Sequence, residues 1–423
     1  MKKVAFITPT YPVLSETFIQ TEIDAIKQCG HRVCVLTFEI EQSQQTFDYS
    51  VVKIGAKVNA GLYKHVHLPG ILDAIRFVQQ QKSMPKRSLF NYGVKLALQL
   101  ADLNVEHVHA HFCQHTAAHA IVAAKLLNIT CSFVAHGHDV YESAYDIEQK
   151  IQASDFVVAV CKSMHSDFVS MMSDNSTHNE SIKNRSIKNQ SIKNQSPDSK
   201  SPDSKSPENK TASAKIKLLH CGVKTDQFVL ETKTRATQLR LIFLGRLVEQ
   251  KGIHHLIEAL APIAKPLCIR LDIVGTGEMR NELEQKVREY KLTEDVHFLG
   301  AKPHEWVKQN LAKYDCLVAP FCFSQTGCVD TGPLVLKEAM AVGTPVITTN
   351  IMGCKEIVAP GTGFLVNEKS VDELKLSIMR FSQFSIRERT HMSQKARKHV
   401  TENFDAFLQA QQLSSWIEAP ATA

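Results

Sequence analysis

The segment Asp330–Glu338 has a carboxylate residue at each end, and the type and spacing of these two residues suggest a chemical role. Asp330 lies in a predicted loop, and Pro333 is suited to open a helix because its missing N–H would be unpaired in the first turn. Helical side chains lean toward the helix N-terminus, so Glu338 is expected to reach back toward Asp330. The start of a helix also binds anions. Acids for hydroxyl groups and free N–H groups for phosphate would suit a sugar diphosphate, whereas an N-cap Asp with a surface Glu is the ordinary alternative.

A second group of candidates follows the apolar run Leu239–Leu244, where a predicted strand ends and a helix begins. Gly245 and Gly252 allow the backbone to approach a ligand closely. Arg246 and Lys251 place two cations beside the predicted helix start, and an arginine can bind a phosphate through two parallel hydrogen bonds. This position favours a diphosphate site over a surface loop with scattered basic residues.

Seven histidines lie between residues 107 and 138. His107, His109 and His111 share one face of a predicted strand, and the chain then changes to helical spacing, which argues against a zinc site built from consecutive histidines. We therefore predict no metal. His111, at the strand end, is the candidate for contacting a substrate. The weaker Gly275-Thr-Gly277 turn follows another strand and lacks the third glycine of a dinucleotide fingerprint.

These candidates are placed by an alternation of short apolar runs and longer amphipathic runs. Val4–Thr8, Thr17–Cys29 and Val33–Phe38 read as strand, helix and strand, and a second series begins at Leu239. Such alternation predicts parallel sheets covered by helices. The expected fold class is α/β, with two doubly wound Rossmann-like domains facing a cleft. The domains are predicted at 1–225 and 226–403, with a C-terminal helix over 404–418 that returns to the first.

Residues 181–210 interrupt this pattern with six consecutive pentapeptides, such as Ser181-Ile-Lys-Asn-Arg and Ser206-Pro-Glu-Asn-Lys. The repeats have few apolar residues to bury, so the insertion over 174–214 is expected to be disordered. An expanded surface loop explains it, and a partner-binding segment is the alternative.

Composition limits the class of protein. A net charge of +6 over 423 residues is too small to indicate a nucleic-acid partner, although it allows contact with an anionic membrane surface. No apolar run approaches the roughly 18 residues that span a bilayer. The short apolar N-terminus reads as a first strand and not as a signal peptide. Eleven cysteines without a C-x-x-C pair suit a reducing compartment, so we expect a cytoplasmic protein, with peripheral contact at the inner face of the membrane as an option.

Taken together, these motifs make the chain resemble the retaining glycosyltransferases of family 4, which have the GT-B fold, and within them the exopolysaccharide and colanic-acid biosynthesis enzymes. The stretch Tyr11–Ile19, the His109-Ala-His-Phe112 strand end and Ala135–Asp139 are similar to that subgroup's N-terminal motifs. Gly245-Arg246 with Lys251-Gly252 is similar to its basic pair, and Asp330 and Glu338 fall on the two acids of its E-x(7)-E motif. The resemblance covers nearly the whole chain apart from the repeats.

The resemblance implies a role for each candidate. His111, Asp330 and Glu338 would be catalytic, with Glu338 on the nucleotide ribose and Asp330 beside the transferred sugar. The residues expected to bind the donor diphosphate are Arg246, Lys251, Gly245, Gly332, Pro333 and Leu334. The further candidates for lining the cleft are Ser15, Thr17, His136, His138 and Gly275.

The same resemblance implies transfer from a UDP- or GDP-sugar to a lipid-linked saccharide, with retention of configuration, no metal and no cofactor beyond the donor substrate. The family usually has Glu where this chain has Asp330, which is shorter by one methylene. That departure leaves donor preference and activity open. Two alternatives stay open. One is a nucleotide-sugar epimerase, which shares the two-domain architecture, and the other is a non-catalytic sugar-nucleotide-binding protein, which the Asp330 departure favours.

Overall fold

The computed structural model describes residues 1–13, 16–41, 46–55, 64, 66–142, 145–173, 213–230 and 238–419. Ser15 and the pentapeptide repeats at 181–210, with almost all of the predicted insertion, lie outside these residues. Contacts between Cα atoms divide the chain into a first unit, Met1–His220 with Gln409–Ala423, and a second unit, Cys221–Leu408. From the sequence, the boundary between the two domains is predicted between residues 225 and 226.

The first unit is a parallel sheet with helices. Its seven strands in the described residues are ordered β3-β2-β1-β4-β5-β6-β7. They are β1 (Lys3–Tyr11), β2 (Arg32–Ile40), β3 (Ser50–Lys53), β4 (His107–His111), β5 (Thr130–Ala135), β6 (Phe156–Ala159) and β7 (Ile216–Leu218). Its helices up to residue 173 are α1 (Thr17–Gln28), α2 (Leu68–Gln80), α3 (Lys86–Asp102), α4 (His115–Leu127), α5 (Gly137–Tyr141), α6 (Ile147–Ala153) and α7 (Lys162–Ser173).

The second unit repeats this architecture. Its six strands in the described residues are ordered β10-β9-β8-β11-β12-β13, and all are parallel. They are β8 (Leu239–Leu244), β9 (Ile269–Val274), β10 (Val296–Gly300), β11 (Cys316–Ala319), β12 (Val346–Thr349) and β13 (Gly363–Val366). Its helices are α8 (Ile253–Leu260), α9 (Arg280–Glu289), α10 (His304–Asn310), α11 (Leu334–Ala341), α12 (Cys354–Ile357), α13 (Val371–Ser382), α14 (Ile386–Asn403) and the first residues of α15 (Ala406–Glu418).

Both sheets are buried because helices cover them, which is why their strands read as continuous apolar runs. Val4, Phe6 and Ile7 of β1 are fully buried, and so are Leu241 and Phe243 of β8. None of the helices in the described ranges is long and apolar enough to cross a membrane. The predicted α/β class with two Rossmann-like units is confirmed.

Each sheet has a point where the strand order reverses. In the first unit it lies between β1 and β4, and in the second between β8 and β11. The loops leaving the carboxyl ends of two such neighbouring strands diverge and leave a crevice, where open α/β sheets bind their ligands. The candidate residues after β4, β8 and β11 are therefore placed by strand order.

The final helix, α15, begins in the second unit and continues into the first, to which its residues belong from Gln409 onward. The imidazole Nε2 of His31, before β2, lies 2.8 Å from the Ser414 hydroxyl. The Trp416 ring contacts the Phe156 ring of β6 edge-on, with centroids 6.0 Å apart. The last turns of the chain thus complete the core of the first unit.

Candidate functional site

The candidate residues fall into two groups, one in each unit. In the second unit, the loop after β8 is fixed by close backbone approaches. Gly252 has φ of +64°, and a Cβ there would lie 1.9 Å from the carbonyl oxygen of Pro320. A Cβ on Gly275, where φ is +144°, would lie 1.9 Å from the carbonyl oxygen of Gly245. Both positions therefore require glycine, and Gly252 precedes α8 because its conformation is not helical.

The two loops at this sheet edge are also joined by hydrogen bonds. The Leu247 amide donates to the Thr276 carbonyl at 2.9 Å, and the Met279 amide donates to the Leu247 carbonyl at 3.1 Å. Arg246 lies in the first loop with an exposed side chain, and it makes no ion pair with any residue that the structure describes. Its guanidinium is therefore available to an anionic ligand.

Lys251 and Asp330 meet across the point where the strand order reverses. Lys251 follows β8 and Asp330 follows β11, and their Nζ and Oδ1 atoms lie 2.8 Å apart. The ammonium group also lies 5.0 Å from the centroid of the Phe321 ring. The two side chains are only partly exposed, at 14% and 23%, so their attraction is screened less than that of a surface pair. The structure thus brings together two residues that the sequence assigned to separate parts of a donor site.

Helix α11 begins at Leu334 as predicted, with Pro333 at the N-cap and no side chain capping it. The first N–H groups of a helix have no partner within the helix, and the helix dipole favours an anion there. The preceding loop is held by the Gly353 amide, which donates to the Thr331 carbonyl at 3.0 Å. The geometry suits phosphate beside Gly332 and Leu334.

Glu338 is buried on α11, and its Oε1 lies 2.9 Å from Nε2 of His304, the first residue of α10. The other candidate acid, Asp330, pairs with Lys251. His304 could not be recognised from the sequence, because 34 residues separate it from Glu338 and no local pattern relates the two. The pair leaves a carboxylate in a fixed orientation, suited to accept hydrogen bonds from vicinal hydroxyls.

In the first unit, β1 and β4 are neighbours, and α1 follows β1. Oε1 of Glu22 on α1 lies 3.2 Å from Nε2 of His109 and 3.4 Å from Nε2 of His111. Both histidines are fully buried. Phe112, directly after β4, has φ of +71°, an outlier for a bulky side chain and a common mark of a functional strand end.

The other first-unit candidates surround this strand end. Thr17 is the first residue of α1, and His136 caps α5. The His136 ring stacks on the His111 ring, with centroids 5.8 Å apart. His138 instead points outward, with a 62% exposed side chain that pairs with Glu142.

Burial dominates the electrostatics of this strand end. It lowers the pKa of His111, against the pull of Glu22. It lowers the pKa of His136 to about 3, with a smaller contribution from His111. Burial acts in the opposite direction on Glu22, but the facing His111 and His109 outweigh it and hold the pKa of this carboxyl well below its ordinary value. His111 and His136 are therefore neutral at pH 7, while Glu22 keeps its charge.

A family model described as glycosyl transferases group 1 matches residues 226–399. The match contains the loop after β8, the Lys251–Asp330 pair and the whole of α11, so the candidate donor-site residues all lie inside the glycosyltransferase segment.

Named relatives narrow the comparison. The chain is 32% identical over 208 residues to the putative colanic acid biosynthesis glycosyltransferase WcaL of Escherichia coli. The matched region covers 48% of this chain and 51% of WcaL. It is 30% identical over 172 residues to the amylovoran biosynthesis glycosyltransferase AmsK of Erwinia amylovora, covering 40% and 42% of the two chains. The chain thus spans about half the length of the curated relatives it matches.

Solved structures show the fold over the whole chain. A glycosyltransferase from Rickettsia africae superimposes with a TM-score of 0.66 and 16% identity, covering 99% of this chain and 98% of that one. Anabaena Alr3699/HepE in complex with UDP-glucose gives a TM-score of 0.63 at 16% identity, covering 98% and 99%. The fold is that of the GT-B glycosyltransferases, as predicted.

Proposed function

We propose that this protein is a glycosyltransferase that moves a sugar from a UDP- or GDP-sugar to a saccharide acceptor during exopolysaccharide assembly. The observation that carries the proposal is the meeting of Lys251 and Asp330 beside the uncapped start of α11. It lies at the reversal of strand order in the second unit, inside the segment that matches the glycosyl transferases group 1.

The donor diphosphate would be bound by Arg246, Lys251 and the first N–H groups of α11. As the sugar leaves, negative charge builds up on the diphosphate, and cations and N–H groups that are already in place stabilise it without reorganising. Lys251 is held in position by Asp330 before the donor arrives. These groups can supply the charge that a divalent ion supplies elsewhere, so departure of the nucleoside diphosphate would need no metal.

Glu338 would bind the ribose hydroxyls, oriented by His304. A carboxylate only accepts hydrogen bonds, so both ribose hydroxyls can donate to it. Asp330 would contact the transferred sugar, and His111, in the first unit, would line the acceptor side. Anabaena HepE, solved with UDP-glucose, supports a nucleotide sugar as the donor.

Four further properties are proposed from the family resemblance and from the relatives' names. The reaction would retain the anomeric configuration, use a lipid-linked saccharide as acceptor and need no cofactor besides the donor. The protein would be cytoplasmic and contact the membrane surface. The names of WcaL and AmsK, which refer to colanic acid and amylovoran, support an extracellular polysaccharide as the product class.

The test is transfer of label from a panel of radioactive UDP- and GDP-sugars to a membrane lipid extract. We compare the unaltered protein with Glu338→Gln and with Glu305→Gln as the matched control. Glu305 lies on α10 next to His304, but its side chain is 66% exposed and faces Lys308. We expect label in lipid from one donor with the unaltered protein and the control, and at least a hundredfold loss with Glu338→Gln, because an amide presents one acceptor atom where the carboxylate presents two.

The other outcomes are distinct. A free nucleotide sugar of altered configuration, without labelled lipid, would identify an epimerase. Binding without turnover would identify a non-catalytic protein. Full activity of Glu338→Gln would refute the site assignment while leaving the reaction class intact.

A further inference from the structure

The histidine–glutamate cluster of the first unit, Glu22, His109 and His111, has a geometry that the proposed transfer reaction does not explain. One carboxylate oxygen faces two imidazole nitrogens at 3.2 and 3.4 Å. The two imidazole rings are nearly perpendicular, at 88°. Each of the three residues offers one ligand atom, and these atoms all lie within 4.8 Å of one another.

The facing atoms are buried without a hydrogen-bonding partner. Nε2 of His109, both ring nitrogens of His111 and Oε1 of Glu22 make no hydrogen bond in the described structure, although they are shielded from water. The contacts that these atoms make with one another are ion-pair contacts of 3.2 and 3.4 Å. Buried polar atoms are normally satisfied, and an unsatisfied group calls for a ligand, an ion or a water.

The other side of His109 indicates which ring nitrogen carries its proton. Its Nδ1 lies 2.7 Å from the Ser132 hydroxyl, which in turn lies 2.8 Å from Nε2 of His107. Nδ1 of His107 lies 2.7 Å from the Thr130 hydroxyl, and that hydroxyl donates to the Glu106 carbonyl at 3.3 Å.

In the arrangement where Thr130 donates its only proton to that carbonyl, Thr130 accepts a proton from Nδ1–H of His107. Ser132 then donates to Nε2 of His107 and accepts from Nδ1–H of His109. This chain leaves a lone pair on Nε2 of His109, facing a carboxylate oxygen of Glu22. Two acceptors at 3.2 Å repel each other unless a proton or a metal cation lies between them.

The spacing fits a first-row metal ion. Tetrahedral zinc binds imidazole nitrogen and carboxylate oxygen at about 2.0–2.2 Å, which places its ligand atoms about 3.3–3.6 Å apart. The measured separations of Oε1 from the two Nε2 atoms, 3.2 and 3.4 Å, agree with that value. Two neutral imidazoles and one carboxylate are a common ligand set for zinc, whereas magnesium and calcium prefer oxygen ligands alone.

We propose that Glu22, His109 and His111 bind one zinc ion in the first unit, with the fourth position open to water or another oxygen ligand. Two ligands come from the C-terminal half of β4 and one comes from α1. The ion would therefore link α1 to β4, one of the two strands at which the strand order reverses. The consecutive histidines alone cannot surround a metal ion, but here the third ligand, Glu22, comes from a different element of the fold. The site is separate from the donor diphosphate, whose departure is assigned to residues of the second unit.

Cobalt binding tests the site without relying on catalysis. The full-length protein is dialysed against a chelator and titrated with Co²⁺, a spectroscopic substitute for zinc, and visible absorption is recorded before zinc is added as competitor. We expect one equivalent of Co²⁺ with the intense visible bands of a four- or five-coordinate nitrogen and oxygen site, displaced by one equivalent of Zn²⁺. Absence of such bands in the unaltered protein would overturn the proposal.

Variants locate the ion within the chain. Glu22→Gln and His111→Asn should each weaken cobalt binding at least a hundredfold. His165→Gln on α7, which removes a histidine outside the cluster, should leave it unchanged. Ser132→Ala should weaken binding 10–100-fold at unchanged stoichiometry, because Ser132 orients His109 and does not touch the ion.

Circular dichroism establishes that each variant is folded. If the two ligand variants do not fold, the cobalt spectrum of the unaltered protein and the Ser132→Ala result decide the question. Binding that survives both ligand substitutions in folded protein would overturn the assignment. The outcome is independent of donor turnover, so failure of this site and failure of the proposed transferase reaction are distinguishable.

Discussion

Replacing Gly252 with alanine should disturb the donor loop more than the same change at another glycine with positive φ. Gly252 has φ of +64°, and its Cβ would lie 1.9 Å from the carbonyl oxygen of Pro320. It precedes α8 and directly follows Lys251. Any movement that relieves the contact must therefore shift the backbone beside that lysine.

The expected cost has two parts. A non-glycine residue in the left-handed region costs roughly 1–2 kcal/mol. Forcing a methyl group into a packed site costs typically about 1–3 kcal/mol more. At Gly361, φ is +82°, but the added Cβ would meet only the Lys395 side chain at 3.5 Å, an ordinary contact. Gly361→Ala should therefore show only the first part, and Gly252→Ala about 2–5 kcal/mol in all.

Two measurements separate the contributions. Hydrogen exchange over residues 245–260 reports the local free energy of opening, and calorimetry with UDP and GDP reports donor binding. We expect Gly361→Ala to match the unaltered protein in both. Gly252→Ala should lose protection locally and bind the nucleotide at least tenfold more weakly, a change of about 1.4 kcal/mol.

Equal behaviour of the two variants would refute this reasoning. It would mean that the approach of Gly252 to Pro320 does not set the position of the loop. Local loss of protection in Gly252→Ala with unchanged nucleotide affinity would refute the placement of Lys251 in the donor site.

Two further predictions concern charged or titratable side chains, namely the Lys251–Asp330 pair and His119, a buried residue of α4. Asp330→Asn should tighten UDP or GDP binding about tenfold while lowering transfer. The substitution releases Lys251 from an attraction worth about 1.5 kcal/mol even at the dielectric constant of water. Weaker nucleotide binding in calorimetry would contradict this prediction. Burial lowers the pKa of His119 to about 4, and since the unfolded value is about 6.5, the folded state resists protonation and loses up to about 3 kcal/mol as pH falls from 6.5 to 4. His119→Gln should therefore flatten the decline of the urea unfolding midpoint between pH 7 and pH 4.5, and an unchanged slope would exclude this residue as its source.

Much of the fold could be predicted because the sheets are buried on both faces. The run Leu239–Leu244 is apolar at every position except Arg240 and ends at Gly245, and this strand has the predicted bounds. The sequence pattern also predicts helices over Leu334–Ala341 and Gly252–Ile263. Helix α11 has the predicted bounds. Helix α8 is shorter, beginning at Ile253 and ending at Leu260, because the conformation of Gly252 and of the turns after Leu260 depends on packing.

The candidate donor-site residues could be selected because they lie in segments that follow strand ends, and strand ends are visible in the sequence. Their pairing could not be predicted. Lys251 binds Asp330, 79 residues away, and His304 contacts Glu338, since strand order and not spacing makes the loops neighbours.

Glu22 was missed although the sequence carried a signal. It lies four residues after Phe18 and four before Ile26, within the apolar face of α1. A charged residue in such a face is almost never buried without a partner, and that could have directed attention to a buried counterpart such as His109.

The last turns of α15 belong to the first unit, so this unit is completed only when the end of the chain has been synthesised. Gln409 follows the end of β7 by about 190 residues, which a ribosome adding 5–20 residues per second synthesises in roughly 10–40 s. During that interval the surfaces around His31 and Phe156, later covered by Ser414 and Trp416, have no cover. The first unit to leave the ribosome is thus the last to be finished, and its incomplete form must survive while the whole second unit is translated.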